Sequence, residues 1–350
     1  MLSTYAVLGE IGGLLVLLAV GAALTLALLT GLLVRAMRTP PRHTAGWAIA
    51  RGLACDPDDM QLEHASWALD RPDGARIPVW AVAGRGDAGD LTAVLVHGWG
   101  HSRIDLLARI EPWQRLCRRV VLYDLRGHGD ATGGRTRLGH GEERDLLALL
   151  ERLDPAPTVL VGHSMGAAIA IRAAASGDAS AAGVVGVVAV APYDDFHRSL
   201  RGRLSRSGFP ARPMSDIAMA WFRLCGIRHA PIDRAAAQLP CPLLVLHGTA
   251  DSVAPPEHGE RIARAAPAGR YHAVAGAGHL DEHVVDAEGV TAEISRFLDG
   301  RAGASAIRFP HAHHDQEEAA SHEEDLRQQQ EEETEGREQI RRRRPDARGA

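Results

Sequence analysis

The hydrophobic positions of this 350-residue chain follow three patterns. One long apolar run lies near the N-terminus, short apolar runs alternate with amphipathic stretches through the middle, and apolar residues are scarce after about residue 310. The middle runs, such as Val184 to Ala191, are nearly continuous in small and β-branched residues. Such runs are typical of parallel strands that are covered on both faces. Their alternation with helical periodicity predicts an α/β fold.

Eight strands are predicted in the middle region, which we interpret as one domain over residues 44–300. The strands cover about Leu62 to Leu69, Ile77 to Ala83, Thr92 to Val96, Arg119 to Tyr123, Thr158 to Val161, Val184 to Val190, Pro242 to Leu246 and Tyr271 to Val274. Helices are predicted between or after them, including Ile104 to Leu116, Glu142 to Leu153, Ala167 to Ala175 and Leu280 to Leu298. The pattern therefore predicts a mostly parallel sheet with helices on both faces.

The segment 193–239 interrupts this alternation between the sixth and seventh predicted strands. Within it, Met214 to Leu224 carries apolar residues at helical spacing and predicts an amphipathic helix. Two interpretations are open: the helix covers a substrate pocket as a small helical cap, or it docks on the core. On the first interpretation, Trp221 and Phe222 are predicted to lie near bound substrate.

The N-terminal run, Ile11 to Val34, contains no charged residue and exceeds the roughly 20 apolar residues that span a bilayer. A cleaved secretory signal is the rival interpretation. The length of the run, and the presence of Glu10 in place of a basic n-region, favour a retained anchor. Three arginines follow within residues 35–42, which places the remainder on the cytoplasmic side. Residues 1–43 are thus predicted to be a single-pass membrane anchor.

Residues 301–350 form a charged tail in which Glu, Gln, Arg and Ala predominate. A segment so poor in apolar residues cannot offset the entropy of ordering, and it is predicted to be disordered. From His311 it contains twelve acidic residues and seven arginines, which accounts for the net charge of −5. The charge balance of the other residues gives no indication of nucleic-acid binding.

The four cysteines are spaced without a C-x-x-C pair or any other paired metal motif. The histidines at 311, 313 and 314 lie in low-complexity sequence without a rigid shell of supporting groups. The sequence therefore predicts neither a metal ion nor an organic cofactor.

The chemistry-bearing motif is Gly162-His163-Ser164-Met165-Gly166, which follows an apolar strand and precedes a helix of small residues. Glycines two positions before and after the serine let the strand and helix approach closely around a sharp turn. The turn would hold the Ser164 hydroxyl exposed as a candidate nucleophile. A small-residue turn without catalytic function is the alternative.

A serine nucleophile needs a general base and a carboxylate that orients the base. Asp251 follows the seventh predicted strand, and His279 follows the eighth after a glycine-containing loop. The order Ser, Asp, His is the one that an α/β sheet with a strand–turn–helix serine produces. Asp251 is therefore the predicted acid and His279 the predicted base.

The oxyanion of acyl transfer needs backbone N–H donors that point at it beforehand. One is predicted to be the N–H of Met165, directly after the serine. The second is predicted to be the N–H of Trp99, in the glycine-flanked loop after the third strand. His97, in the same loop, is interpreted as a residue that holds the loop through backbone hydrogen bonds.

With these residues identified, residues 62–298 resemble an α/β-hydrolase. Besides the serine turn, the resemblance rests on His97-Gly98-Trp99-Gly100, on Asp124-Leu125-Arg126-Gly127-His128-Gly129 and on His247-Gly248-Thr249-Ala250-Asp251. The motif set is most similar to the lysophospholipase, monoacylglycerol-lipase and BEM46-like serine hydrolases. The resemblance implies that Ser164 is the nucleophile, Asp251 the acid and His279 the base, with the amides of Trp99 and Met165 as the oxyanion hole. Asp130 departs from the family, which often has serine there.

These observations predict a membrane-anchored serine hydrolase that cleaves lipophilic, lysolipid-like or monoacylglycerol-like esters through an acyl-enzyme intermediate. A serine at position 164, where dehalogenases and epoxide hydrolases of the superfamily have aspartate, argues against those chemistries. A thioesterase or acyltransferase with the same triad remains an alternative. So does a non-catalytic membrane-tethered binding protein of the same fold.

Overall fold

A central eight-stranded sheet organises the protein. The computed structural model describes residues 2–85 and 90–302, with side chains described for residues 10–85 and 90–300. All but the first two residues of the predicted tail lie outside the described residues. Residues 1–302 belong to one compact unit, so the N-terminal helix and the predicted hydrolase domain are parts of the same body.

The strand order is β1-β2-β4-β3-β5-β6-β7-β8. The pairs β1·β2 and β2·β4 are antiparallel, and the remaining neighbours are parallel. All eight predicted strands are confirmed, with ends that differ by at most two residues. They are β1 His64–Asp70, β2 Arg76–Ala83, β3 Thr92–Val96, β4 Arg119–Tyr123, β5 Thr158–His163, β6 Val184–Val190, β7 Leu243–Gly248 and β8 Gly269–Val274.

Helices cover both faces of the sheet. Two apolar clusters form the core, one on each face, because successive residues of a strand point to opposite sides: Val94 and Val96 belong to one cluster, Ala93 and Leu95 to the other. The helices are α1 Leu2–Arg38, α2 Ala45–Ile49, α3 Arg103–Leu107, α4 Glu111–Leu116, α5 Glu143–Arg152, α6 Met165–Ala174, α7 Phe196–Arg206, α8 Ala211–Leu224, α9 Ile232–Ala236, α10 Glu257–Ala265, α11 Glu282–Val285 and α12 Ala287–Ala302, with short 3₁₀ turns at Asp58–Met60 and Ala179–Ala181.

Two predicted helices are each divided in the structure. The predicted helix from Ile104 to Leu116 is α3 and α4, since Pro112 has no N–H to donate to the carbonyl of Ala108. The predicted helix from Leu280 to Leu298 is α11 and α12. Here Asp286 leaves the helical conformation, and its carboxylate accepts a hydrogen bond from the N–H of Gly289 at 2.9 Å. That bond stabilises the first turn of α12.

The insertion 193–239 consists of α7, α8 and α9, and a third apolar cluster joins its helices to the rest of the molecule. The predicted helix from Met214 to Leu224 is confirmed as α8. The last part of α1 packs against α8 and contributes Val34, which is 4% exposed, to this third cluster. Helix α1 is thus a continuous apolar helix, and its stretch Glu10–Arg38 is long enough to cross a membrane.

Candidate active site

The turn between β5 and α6 presents Ser164 at its apex. Ser164 has φ +52° and ψ −109°, a conformation that costs a non-glycine residue free energy. The flanking glycines make the turn possible: a Cβ at Gly162 would lie 2.4 Å from the Cα of Ala167, and one at Gly166 would lie 2.2 Å from the carbonyl oxygen of Val96. The sequence therefore folds into the strained turn because only glycine fits at both positions.

Ser164, His279 and Asp251 lie in a hydrogen-bonded chain. The hydroxyl oxygen of Ser164 is 3.1 Å from Nε2 of His279, and Nδ1 of His279 is 2.7 Å from Oδ2 of Asp251. With the imidazole proton on Nδ1, the ring donates to the carboxylate and accepts from the hydroxyl. The three residues come from the ends of β5, β7 and β8. The arrangement can therefore transfer a proton from the serine to the histidine.

The Asp251 carboxylate is buried and well supplied with donors. Its Oδ1 accepts hydrogen bonds from the backbone N–H groups of Val253 at 2.7 Å and Ala254 at 2.8 Å, and Nε2 of His247 lies 3.3 Å from Oδ2. Burial alone would raise the pKa of Asp251, but the hydrogen bonds from His247 and His279 outweigh it and hold that pKa below its usual value. Asp251 therefore stays ionised beside the imidazole.

The loop after β3 packs against Ser164. A Cβ at Gly98 would lie 3.2 Å from the carbonyl oxygen of His163 and 3.5 Å from the Cβ of Ser164, so the loop passes close to the serine turn. His97 holds the loop as predicted: its Nδ1 donates to the carbonyl of Gly98 at 2.8 Å, and its Nε2 accepts from the N–H of Leu125 at 2.9 Å. Burial lowers the pKa of His97 well below its usual value, which keeps the ring neutral for these two bonds.

The predicted oxyanion donors lie on the two turns beside the serine, Met165 directly after Ser164 and Trp99 after Gly98. Met165 is the first residue of α6, where backbone N–H groups have no partner within the helix. Trp99 follows Gly98, and its side chain lines the same cavity as Ser164. Two such donors can stabilise negative charge that develops on a carbonyl oxygen.

Asp124, in the loop after β4, holds the neighbouring backbone and Arg103 through hydrogen bonds. The Asp124 carboxylate accepts hydrogen bonds from the N–H of Arg103 at 2.8 Å, from the guanidinium of Arg103 at 2.7 Å and from the N–H of Asp130 at 2.9 Å. Burial raises the pKa of Asp124 to about 6. Asp130, the residue that departs from the family pattern, forms an ion pair with Arg103 at 3.1 Å. Its carboxylate therefore braces Arg103, outside the Ser164, His279 and Asp251 chain.

A cavity of about 320 Å³ opens at Ser164. Its volume is at the lower end of the range of about 300 to 1,000 Å³ that ligand pockets occupy. Most of the side chains that line it are apolar. Helix α1 contributes Leu33, Ala36 and Met37, and helix α7 contributes Phe196, Leu200 and Leu204.

The cavity does not include the two predicted substrate-binding residues. Phe222 is fully buried and packs edge-to-face against Phe196, while Trp221 is 41% exposed and packs its indole against Gly31. Neither side chain lines the cavity at Ser164 among the described residues. The prediction that Trp221 and Phe222 lie at the acyl site is therefore corrected. The apolar face of α8 packs on α7 and α1, and those two helices form part of the cavity wall.

The cavity residues of α7 and α1 were not predicted from the sequence. Helix α7 had a readable signal: Asp195 caps its first turn through a 2.7 Å hydrogen bond from the N–H of Arg198, and Phe196, Leu200 and Leu204 repeat every four residues. Helix α1 had no such signal for a role in the site. Its sequence is apolar on all sides, so the pattern does not indicate which side faces protein.

One cluster of possible metal ligands occurs in the described residues, at Cys55, Asp56 and Asp59. Hydrogen bonds within a turn explain it, since the N–H of Cys55 donates to Asp59 at 2.8 Å and the N–H of Asp59 donates to Asp56 at 3.1 Å. A hydrogen bond from the thiol itself to the Asp59 carboxylate raises the pKa of Cys55 to about 11. A thiol that keeps its proton is a poor metal ligand.

Known proteins resemble this chain in sequence and in fold. The sequence model of the alpha/beta hydrolase family matches residues 93–294. An uncharacterized protein of Mycobacterium tuberculosis is 27% identical over 251 residues, which cover 69% of this chain and 76% of that protein. The sn-1-specific diacylglycerol lipase of Mus musculus is 38% identical over 82 residues, or 23% of this chain and 27% of the lipase.

Among solved structures, an esterase of Pyrococcus furiosus superposes with a TM-score of 0.58 at 22% identity. The match covers 76% of this chain and 98% of the esterase. At that identity the similarity establishes the fold.

Proposed function

The chain belongs to the alpha/beta hydrolase family, and from that premise and the geometry at Ser164 we propose that it is a membrane-anchored serine hydrolase. The proposed reaction is hydrolysis of a carboxylic ester with a lipophilic acyl group, through an acyl-enzyme intermediate. The observation that carries the proposal is the Ser164–His279–Asp251 chain, with distances of 3.1 Å and 2.7 Å, at the mouth of an apolar cavity.

In the proposed acylation step, the Ser164 oxygen attacks the ester carbonyl while Nε2 of His279 takes the hydroxyl proton. The ionised Asp251 stabilises the resulting imidazolium through Nδ1. The carbonyl oxygen becomes an oxyanion, to which the N–H groups of Trp99 and Met165 donate. Loss of one such donor costs about a hundred- to a thousand-fold in rate in comparable sites.

Collapse of the tetrahedral intermediate expels the alcohol, which receives the proton from His279. Water then attacks the acyl-Ser164 ester, and His279 acts again as base. The same groups serve both half-reactions, so the proposal needs no metal ion and no organic cofactor. A thiol leaving group or a different acyl acceptor would use the same steps, which is why the substrate has to be identified by experiment.

The lipophilic substrate is supported by the cavity lining. Apolar side chains from α1, α7 and the loop containing Leu138 surround the space next to Ser164. Transfer of an acyl chain from water into such a lining is favourable by about 25 cal/mol per Å² of apolar surface. Short, polar acyl groups would gain little from it. The cavity therefore favours esters with a hydrocarbon chain.

Membrane attachment is supported by α1. Its uncharged run from Ile11 to Val34 is long enough to span a bilayer, and Arg35 and Arg38 follow in its last turn. Because basic residues favour the cytoplasmic side, we propose that the catalytic unit, residues 44–300, is cytoplasmic.

The proposal can be tested with a fluorophosphonate probe, which reacts with activated serines. Full-length protein in detergent should be labelled, and Ser164→Ala should not; Ser199→Ala, which removes another cavity hydroxyl, is the matched control. Hydrolysis of monoacylglycerols, lysophospholipids, short esters and acyl thioesters by the wild type would then identify the substrate class. Labelling that persists in Ser164→Ala would refute the assignment of the nucleophile. A labelled protein that turns over none of the substrates would favour the non-catalytic binding protein.

A further inference from the structure

Helix α1 has one side that contacts the catalytic unit. The side chains of Leu26, Thr30, Leu33, Val34 and Met37 are buried or half-buried, and they recur every three or four residues along one face. Residues 10–25 are exposed throughout. The helix therefore begins its packing on the catalytic unit at about residue 26.

The docked part of α1 is held by specific hydrogen bonds. Nε1 of Trp99 donates to the carbonyl oxygen of Met37 at 2.7 Å. Just beyond the helix, the guanidinium of Arg42 donates to the carbonyl oxygens of Gly129 at 3.0 Å and Ala131 at 2.9 Å. These bonds join the end of α1 to two loops. One is the loop after β3, which carries the proposed oxyanion donor Trp99, and the other is the loop after β4, which contains Gly129 and Ala131. The position of α1 is thereby coupled to the active site.

The same docked part belongs to the apolar run that we propose spans the bilayer. Glu10 bounds that run at one end and Arg35 at the other, so residues 26–34 lie within it. Helix α8 packs against these residues and must therefore reach the bilayer surface. The indole of Trp221 lies against Gly31, consistent with the preference of tryptophan for the membrane interface.

The outer surface of the insertion, residues 193–239, also suits contact with a bilayer. Phe209, Trp221 and Leu224 are 50%, 41% and 88% exposed, although large apolar side chains in water are unfavourable. Phe209 also lines the cavity, so an exposed apolar residue stands at the cavity wall. Residues 193–239 contain eight arginines and four aspartates, a balance that suits contact with anionic head groups.

From these observations we propose that the cavity is filled from the bilayer. The hydrocarbon chain of a membrane ester enters between α1 and the insertion and lies against Leu33, Ala36 and Met37, with its carbonyl at Ser164. The last turns of the anchor are then part of the substrate-binding site. This inference rests on the proposed function for the identity of the reacting group, but the position of the chain can be tested without catalysis.

The binding test uses the full chain carrying Ser164→Ala, reconstituted in lipid nanodiscs. A monoacylglycerol with a photoreactive diazirine near the end of its acyl chain is added to the bilayer, and cross-linked peptides are located by mass spectrometry. Cross-links are expected on residues 33–37 and on the α7 segment that faces them. Labelling should follow the mole fraction of the probe in the bilayer.

Two variants of α1 sharpen this test. Ala36→Trp fills the cavity from its wall and should reduce the cross-link to background. Leu28→Trp adds the same side chain at a position that is 63% exposed and does not line the cavity, and it should leave the cross-link unchanged. Cross-links confined to the exposed face of α1, or a cross-link that Ala36→Trp does not reduce, would overturn the proposal.

A catalytic comparison separates this proposal from the proposed function. With Ser164 intact, Ala36→Trp should lower kcat/KM for a palmitate ester by about tenfold or more relative to an acetate ester, whereas Leu28→Trp should not change the ratio. Retained fluorophosphonate labelling shows that the variant is folded. An equal loss on both esters would assign α1 a structural role only and would overturn the proposal. Absence of hydrolysis by the wild type, with the cross-link still on residues 33–37, would refute the proposed function and leave the binding site standing.

Discussion

Ser164 keeps its strained backbone conformation because hydrogen bonds to neighbouring elements hold it on both sides. Its N–H donates to the carbonyl oxygen of Val190 at 2.8 Å, and its carbonyl oxygen accepts from the N–H of Ala167 at 3.0 Å. A strand on one side and a helix on the other therefore fix both ends of the residue. The strain costs on the order of 1 to 3 kcal/mol, and the packing of β5 and α6 offsets it.

Replacement of Ser164 by alanine should abolish turnover without unfolding the protein. Removal of a serine nucleophile from a triad costs on the order of a million-fold in kcat. The backbone bonds of residue 164 do not involve the hydroxyl, so the thermal midpoint should remain near that of the wild type. Single-turnover kinetics and calorimetry measure the two quantities. Substantial hydrolysis by the purified variant would place the nucleophile elsewhere.

Glu142 should make the stability of the protein depend on pH. Burial raises the pKa of Glu142 from 4.5 to about 7, even though Oε1 accepts hydrogen bonds from Thr136 at 2.9 Å and from the N–H of Arg137 at 2.6 Å. The folded state therefore binds this proton more tightly than the unfolded state does. Protonated Glu142 therefore contributes to the free energy of unfolding. That contribution is fully present below about pH 4.5 and is lost as the pH rises through about 7.

The variant Glu142→Gln tests this prediction, because its side chain cannot ionise. The free energy of unfolding of the wild type should fall by a few kcal/mol between about pH 4.5 and 7, relative to the variant. Denaturant titrations at several pH values measure the difference. Glu143→Gln, at the neighbouring residue, is the control. It should show the same dependence of unfolding free energy on pH as the wild type. Parallel pH profiles of wild type and Glu142→Gln would contradict the assignment.

At the level of elements, α1 is both the proposed membrane helix and a packing partner of the catalytic unit. The sequence alone predicts that a chain starting near Thr44 remains soluble and active on a short ester, because the apolar run lies outside the sheet. The structure keeps the run outside the sheet but places its last turns in the third apolar cluster and in the cavity wall. The expected consequences of deletion change accordingly.

A chain that starts at Thr44 should be less stable and should lose selectivity for long acyl chains. Removal of Val34 alone forfeits the burial of one aliphatic side chain, about 1.5 to 3 kcal/mol, which lowers the thermal midpoint by roughly 5 °C. The Ser164, His279 and Asp251 chain has no contribution from α1, so fluorophosphonate labelling should persist. Thermal unfolding and the ratio of palmitate to acetate ester hydrolysis are the measurements. A truncated protein with the stability and selectivity of the full chain would show that α1 contributes to neither.

At the level of the whole molecule, the proposed membrane orientation rests on the charges beside the apolar run. In cells, the full chain should remain with membranes after alkaline carbonate extraction, and detergent should release it. In sealed vesicles with the cytoplasmic face outward, added protease should digest the catalytic unit, because the proposed topology has Arg35 and Arg38 on the cytoplasmic side. Replacement of both arginines by glutamate, compared with the same change at the distant Arg115, should weaken this orientation. Protection of the catalytic unit in the wild type would reverse the proposed topology.

Much of the fold could be predicted from the sequence because its signals are local. The strands of a doubly covered sheet are apolar along their whole length, and the glycines at 162 and 166 indicate the sharp turn that carries Ser164. Asp251 and His279 each follow a strand, and parallel strands bring their ends to one edge of the sheet. The structure accordingly places the three side chains within hydrogen-bond distance. Pro112 and Asp286 are also readable as helix breaks, although the apolar periodicity continues across them.

The composition of the cavity wall was decided by tertiary structure alone. Trp221 and Phe222 lie on a helix that the sequence identifies, but hydrophobic spacing cannot indicate whether an apolar face meets a ligand or another helix. Likewise, α1 is apolar on all sides, so its sequence does not distinguish the face that includes Leu33 and Met37 from the others. The sequence by itself determined the sheet, the strained turn and the order of the triad, since each depends on neighbouring residues. Which helices enclose the serine depends on the packing of α1 against α7 and α8, which lie more than 150 residues further along the chain, and that packing exists only in the folded molecule.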